Sequence, residues 1–274
     1  MLRIGFIGTG NVASAILGGI VPAGLAKAQN IWGFDKDPNR LNAAREIAPF
    51  NSCRSNKEVL EKSDVVILAV KPKDVPSVLE ELKGHATPKH LFISVCAGIK
   101  TSYIEEMLGD KVRVIRVMPN TPALIKCGAS ALAKGAYASE EDLGLALTFF
   151  NVIGVAVEVD EKDLDAVTGL SGSGPAYIFY MTECLVKAGV EVGLSPEVAE
   201  KLTKQMVLGA ARMMVERKEP LKTLREMVTT PGGTTAAGFS VMHAANFEQL
   251  MIDTVRKATE RSRELGEILT NETN

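Results

Sequence analysis

The stretch Leu2-Arg3-Ile4-Gly5-Phe6-Ile7-Gly8-Thr9-Gly10-Asn11-Val12-Ala13 decides the reading of this chain. Leu2–Ile7 is a strand-sized apolar run, and Ala15, Ile16, Leu17 and Ile20 follow it at helical spacing. Between the two lies G-x-G-x-x-A, the dinucleotide fingerprint in the strand-to-helix setting it requires. Gly8 permits the tight turn, Gly10 lets backbone approach a pyrophosphate, and Ala13 lets helix and strand pack closely. The helix N-terminus then offers N–H groups to phosphates. In a chain with 24 glycines, six residues alone also fit a tight turn without a ligand, so the context carries the argument.

Working outward, apolar strand candidates alternate with amphipathic stretches up to about Asp160: Asn30–Phe34, Asp64–Ala69, Leu91–Val95, Val112–Val117, Ser130–Ala133 and Ala156–Val159. Such alternation predicts an α/β fold, a mostly parallel sheet covered by helices. Beyond Asp160 the strands stop. Ser195-Pro196 reads as an N-cap followed by proline at the first helical position, and Val198, Leu202, Met206, Ala210 and Met213 then recur every three or four residues. A second long helix runs from near Phe247 to Leu269. The charged cluster Glu158 to Asp163 marks the division, giving a Rossmann-like dinucleotide-binding domain over residues 1–160 and an all-α domain over 161–274. The helices of that second half carry more apolar face than one small bundle covers, which predicts homodimerisation through it.

Composition narrows the function. With 31 Lys+Arg against 33 Asp+Glu, no charge excess draws the chain to nucleic acid or to an anionic membrane. Its apolar runs are too short or too interrupted to span a bilayer, and no signal-peptide pattern precedes the first strand, so a cytoplasmic protein is expected. Cys53, Cys96, Cys127 and Cys184 lack metal or redox spacing and read as buried thiols. With three histidines, none beside a carboxylate or cysteine cluster, neither a metal site nor a histidine-dependent nucleophile is expected.

Ligands of open α/β sheets bind beyond the carboxyl ends of the strands. Asp35 lies there, 22 positions after Ala13, where a carboxylate would accept hydrogen bonds from the ribose of NADH and repel a 2′-phosphate. Lys36 and Arg40 nearby could instead pair with that phosphate, and an Asp35–Asp37 turn cap is the plainer alternative. Ala69-Val70-Lys71-Pro72 places a cation after another strand, able to meet a phosphate, the substrate or only solvent. Val95-Cys96-Ala97-Gly98 offers small residues and backbone suited to a flat nicotinamide.

Two glycine-rich stretches lie in the helical half, where each helix-interior glycine costs roughly 1 kcal/mol. Gly169 to Gly174 interrupts an otherwise long apolar helix, as close helix crossing or a cofactor ring would require. Thr229-Thr230-Pro231-Gly232-Gly233-Thr234-Thr235 feeds the helix Ala236–Ala245 with consecutive N–H groups and four hydroxyls. It reads equally as a carboxylate site or as a capped turn.

With these residues assembled, the chain resembles the pyrroline-5-carboxylate reductases along both halves. The resemblance rests on Gly8-Thr9-Gly10, Ala69-Val70-Lys71-Pro72, the run from Asp165-Ala166-Val167-Thr168 to Ser173-Gly174-Pro175-Ala176-Tyr177, and above all Val228 to Thr235. What it implies is reduction of the cyclic imine 1-pyrroline-5-carboxylate to L-proline by NADPH or NADH, the last step of proline biosynthesis. It further implies a tight homodimer with interleaved helices, often assembled into a decamer. Cofactor contacts are implied at Ile7, Gly8, Thr9, Gly10, Asn11, Val12, Asn56, Ala69, Val70, Lys71, Pro72, Val95, Cys96 and Ala97. The substrate carboxylate would take backbone N–H groups of Gly233, Thr234 and Thr235, with the Thr235 side chain as the catalytic group near the imine nitrogen. Asp35 departs from the serine or arginine that NADPH-preferring relatives often carry, and Met227 stands where some relatives place a polar residue.

The chemistry is consistent with the residues at hand. A protonated imine needs a hydride donor held within roughly 3–3.5 Å more than it needs a strong acid, and anion-holding backbone and hydroxyl groups are what the signature stretches supply. A β-hydroxyacid or 6-phosphogluconate-type dehydrogenase would place an acid/base lysine on the helix turn that Ala176-Tyr177-Ile178-Phe179 occupies. A non-catalytic NAD(P) sensor would have no need of the second turn at Pro231 to Thr235.

Overall fold

The computed structural model describes residues 2–109 and 111–271; Met1 and residues 272–274, the outer ends of the two expected domains, lie outside them. The chain divides into two compact units, one of residues up to Ser173 together with those from Arg256 onward, the other Gly174–Val255.

The first unit holds strands β1 (Ile4–Ile7), β2 (Ile31–Phe34), β3 (Asn51–Ser52), β4 (Val65–Leu68), β5 (Leu91–Ser94), β6 (Arg113–Met118), β7 (Gly128–Lys134) and β8 (Gly154–Glu158). Between them run helices α1 (Asn11–Ile20), α2 (Pro38–Ile47), α3 (Asn56–Lys62), α4 (Val75–Leu82), α5 (Thr101–Leu108) and α6 (Glu140–Asn151), and α7 (Leu164–Val167) follows β8. One eight-stranded sheet results, in the order β3-β2-β1-β4-β5-β6-β7-β8. Every pairing is parallel except β6 with β7, which a short connection joins antiparallel.

Strands covered on both faces read as continuous apolar runs, and these do. Side-chain alternation sends Ile4, Phe6, Val65, Ile67, Leu91, Ile93, Ile115 and Val117 to one core with α1 and α6. Ile7, Val66, Leu68, Phe92 and Val114 go to the other, with α3, α4 and α5. Local signals start the helices: Asp37 and Ser55 cap α2 and α3, and Ser139 with Asp142 forms a reciprocal capping box on α6. The strand order reverses at β1 and β4, which opens a crevice beyond their carboxyl ends.

The first unit extends past the charged cluster at residues 158–163. The Thr101 N–H and hydroxyl donate to the Glu161 carboxylate at 2.8 and 2.7 Å, and the buried Arg116 guanidinium meets it at 3.2 Å. Leu164, fully buried, packs with Ala131 and Ala133. The chain then makes a π-turn over Thr168–Gly172 before the next helix. Here the glycines permit close packing: a Cβ on Gly172 would lie 2.5 Å from Met118 Cε.

The second unit is helical: α8 (Gly174–Glu191), α9 (Pro196–Glu216), α10 (Leu221–Met227), α11 (Thr234–Ala244) and the start of α12 (Phe247–Asn271). Ser195 accepts from the Val198 N–H at the start of α9, as the Ser-Pro pair predicts. Among its described residues only Ala199 is a buried core residue, while Ile178, Phe179, Tyr180, Leu202 and Met206 are exposed in the single chain. From Arg256 on, α12 belongs to the first unit, where the Ser262 hydroxyl donates to Asp165 Oδ1 at 2.7 Å. The cysteine expectation needs correction: Cys53 and Cys96 are buried, but Cys127 and Cys184 are exposed, because the turn before β7 and the outer face of α8 have nothing packed over them in one chain.

Candidate active site

At the end of β1, Gly8 has φ +86° and lies so close to the Ala69 carbonyl that a Cβ would sit 2.7 Å from its oxygen. Only glycine meets both demands. Gly10 is different: nothing lies within 4 Å of where its Cβ would be, so the backbone borders open space. No side chain among the described residues caps α1 there, and its first-turn N–H groups have no intrahelical partner. Open room beside uncapped N–H groups fits a pyrophosphate.

Three adjoining cavities extend from this turn. One of about 440 Å³ is bordered by Gly8, Asp35, Asn56, Ala69, Val70 and Lys71 of the expected cofactor set, with Lys36, Arg40, Lys73, Asp74 and Glu81. The next, about 350 Å³, takes in Thr9, Gly10, Asn11, Val12, Ala69, Val70, Lys71 and Val95. Asn11 and Val12 also border a third, of about 280 Å³, with Pro119, Asn120, Thr121 and Gly172. Together they make a groove lined by backbone N–H groups at its centre, as a dinucleotide needs, while at the Asp35 end cations and carboxylates are balanced, with Lys36 on Asp74 at 2.8 Å and Arg40 beside Asp37 at 3.7 Å.

Some expected residues do not line the groove. Ile7 is fully buried and contributes its carbonyl, which accepts from the Ala69 N–H at 2.9 Å. Cys96 is buried, its single S–H shared between the Leu68 and Val70 carbonyls, each 3.4 Å from Sγ, so its side chain braces the end of β4. Burial pushes that thiol up to about 12. Pro72 and Ala97 border none of the three cavities. Asp35 is held by the glycine turn: the Thr9 N–H and hydroxyl donate to Oδ2, and the Asp37 N–H donates to Oδ1 at 2.9 Å. Asn56, nearly buried, donates from Nδ2 to Glu81 Oε2 at 2.7 Å. Sequence reasoning missed Glu81, since 25 residues separate the pair and only the α3–α4 packing joins them. It also passed over Asn120, in Met118-Pro119-Asn120-Thr121-Pro122, a turn-rich run after β6 whose two prolines could have marked it.

In the second unit, Gly232 has φ +71° and the Gly233 N–H donates to the Thr230 carbonyl at 3.0 Å. Gly233 is the N-cap of α11, with no side-chain cap there among the described residues. Thr234 and Thr235 therefore open an 11-residue helix with unpaired N–H groups, as an anion site would. Beside them a cavity of about 370 Å³ is bordered by Arg225, Phe239 and His243, with the Arg225 guanidinium 5.8 Å from the Phe239 ring centre. Met227 is exposed. Among the described residues no group of three or more His, Cys, Asp and Glu could hold a metal ion, and no helix is long and apolar enough to cross a membrane.

The dinucleotide crevice and the helical unit with its uncapped turn define a nicotinamide-dependent oxidoreductase. Residues 161–265 match the family model described as pyrroline-5-carboxylate reductase dimerisation, and residues 3–98 the one described as NADP oxidoreductase, coenzyme F420-dependent. A pyrroline-5-carboxylate reductase of Methanosarcina acetivorans is 40% identical over 96% of this chain and 98% of its own. Among solved structures, the pyrroline-5-carboxylate reductase of Coxiella burnetii superposes with a TM-score of 0.90 at 37% identity, covering 96% of this chain and 98% of that one. That of Plasmodium falciparum, with NADP bound, gives 0.85 at 32% identity, covering 97% and 98%. The chain belongs to the pyrroline-5-carboxylate reductase family.

Proposed function

We propose that this chain reduces 1-pyrroline-5-carboxylate to L-proline with NADPH or NADH. The observation that carries the reading is a crevice shaped for a dinucleotide in a chain that also opens a helix with uncapped N–H groups at Thr234 and Thr235, together with 40% identity to a reductase of that name along 98% of its length. Gly8 to Val12, Asp35, Asn56, Ala69 to Lys71 and Val95 line the groove and hold the cofactor, which supplies the hydride when bound, while Ile7, Pro72, Cys96 and Ala97 shape the strand ends behind them. The free backbone N–H groups of Thr234 and Thr235, beside the N-cap Gly233, hold the substrate carboxylate, and Met227 makes no cofactor contact. The Thr235 hydroxyl orients the ring nitrogen. As the imine carbon gains hydride, the C=N π pair collapses onto nitrogen, and the proton that nitrogen already carries from solvent stays with it.

Residues 1–160 serve the cofactor and 161–274 serve substrate and assembly. The near absence of a core in Gly174–Val255 supports a homodimer, because a second copy of the same helices would cover Ile178, Phe179, Tyr180, Leu202 and Met206. The assembly proposed is this dimer, either alone or as five dimers in a decamer. Free, buried Cys53 and Cys96 accord with a cytoplasmic enzyme.

The test follows nicotinamide absorbance with pyrroline-5-carboxylate, then with a β-hydroxyacid in the oxidative direction, beside sedimentation of the protein. Imine-dependent oxidation of NADPH or NADH, no hydroxyacid activity and a sedimenting dimer or decamer are expected. Turnover of the hydroxyacid alone, or nucleotide binding without turnover of either, would refute the assignment.

A further inference from the structure

The Ser171 carbonyl, in the π-turn ahead of α8, has no ordinary helical donor. Its partner four residues on would be Pro175, which carries no N–H. The carbonyl is instead satisfied from the sheet, where Asn120 Nδ2 donates to it at 3.1 Å. The amide orientation is fixed by its other end: Asn120 Oδ1 accepts from the Ala129 N–H at 2.9 Å, and a backbone N–H can only donate. One half-buried carboxamide thus ties the end of β6, the start of β7 and the glycine-rich turn together. Met118, two residues earlier, fills the contact below Gly172. Gly172 in turn borders the 280 Å³ cavity that Asn11 and Val12 of the dinucleotide turn share.

We propose that Asn120 is a positioning residue for the reduction: by replacing the helical donor that Pro175 lacks, it fixes the Ser171–Gly172 segment, and with it the wall of the cavity beside the cofactor turn. The inference rests on the reductase reading for its kinetic consequence and on the two hydrogen bonds for its structural one. Asn120 also borders that cavity, but its carboxamide is committed at both ends to backbone, so it would act on the reaction by setting the cavity's shape. Displacements of an ångström in such a wall cost roughly 100-fold in turnover.

Asn120→Asp keeps the shape and the acceptor for Ala129 but loses the donor to Ser171. Its kcat should fall roughly 10- to 100-fold, with KM for NADPH and NADH within twofold of the parent and faster amide exchange confined to residues 168–173. Asn120→Ser, which loses the same donor, is read in the same way if the aspartate prevents folding. Adding Pro175→Ala to Asn120→Asp supplies a backbone N–H to the Ser171 carbonyl and should restore slow exchange and part of kcat. Unchanged exchange at 168–173, a kcat within twofold of the parent, cofactor affinity lost in equal measure, or no gain in the double variant would each overturn the proposal. Exchange needs no substrate, so a parent enzyme inactive on the imine would refute the function while the role of Asn120 in the turn was still decided.

Discussion

The Thr9 N–H donates to Asp35 Oδ2 at 2.8 Å, and the Thr9 hydroxyl reaches the same oxygen at 3.3 Å. The carboxylate beyond β2 is thereby tied to the glycine turn, and in the function proposed above its charge would oppose a 2′-phosphate. Asp35→Ser should raise the ratio of kcat/KM with NADPH to that with NADH at least roughly tenfold, about 1.4 kcal/mol. Both KM values should rise modestly, because Thr9 loses its anchor. Kinetics with both reduced cofactors checks this, and an unchanged ratio would mean that Asp35 does not read the ribose.

Thr235→Ala removes the hydroxyl but leaves the backbone N–H groups of α11. Turnover should fall roughly 10- to 100-fold with a smaller change in substrate KM, and Thr235→Ser should recover most of it. Full turnover in the alanine variant would remove Thr235 from the chemistry.

Arg116 is buried on β6 against Glu161, which also accepts from Thr101. Arg116→Met leaves a partly buried carboxylate without its cation and should destabilise the first unit by about 3 kcal/mol. Urea unfolding of both proteins measures it, and a loss under 1 kcal/mol would mean that the Thr101 bonds suffice to hold Glu161.

Glu105 carries a pH dependence of definite sign. Burial raises its carboxyl above the usual range, the Glu161 charge adds to this, and backbone N–H groups of Ala136 and Tyr137 oppose it. The folded state then keeps a proton that the unfolded chain releases, so this contribution to stability is present at acid pH and lost as pH climbs through the raised value. Glu105→Gln should therefore melt higher than the parent at pH 7 and equal to it below pH 4. The gain disappearing at pH 7 instead would reverse the sign.

Thiol labelling separates the cysteines. Burial pushes Cys53 up to about 11 and Cys96 up to about 12, whereas Cys127 is exposed. Since the thiolate is the nucleophile, iodoacetamide at pH 8 should modify Cys127 within minutes and reach Cys53 and Cys96 only on unfolding. Peptide mapping reads the order.

The alternation of apolar runs was enough to place the sheet, because strands covered on both faces can hardly be anything else, and Ser195-Pro196 announced α9. The glycine turn was legible for the same local reason: φ +86° and a carbonyl at Cβ distance leave no other residue at Gly8. What stayed hidden is non-local. Asn120 reaches Ser171 across 51 residues and Asn56 reaches Glu81 across 25, and no period or spacing encodes such pairs. β3, two residues long, is too short to carry a pattern, and it exists only because β2 offers it a free edge. Nor did the helical period of α12 reveal that its last turns belong to the first unit.

That return of α12 carries a consequence for biogenesis. In chain order the segment bearing Ser262 comes after the whole of Gly174–Val255, so a ribosome must make the helical unit before this last contact of the nucleotide-binding unit can form. Until then Asp165 is without its Ser262 anchor in the nascent chain, and the earlier-made unit depends on a later-made helix for its completion.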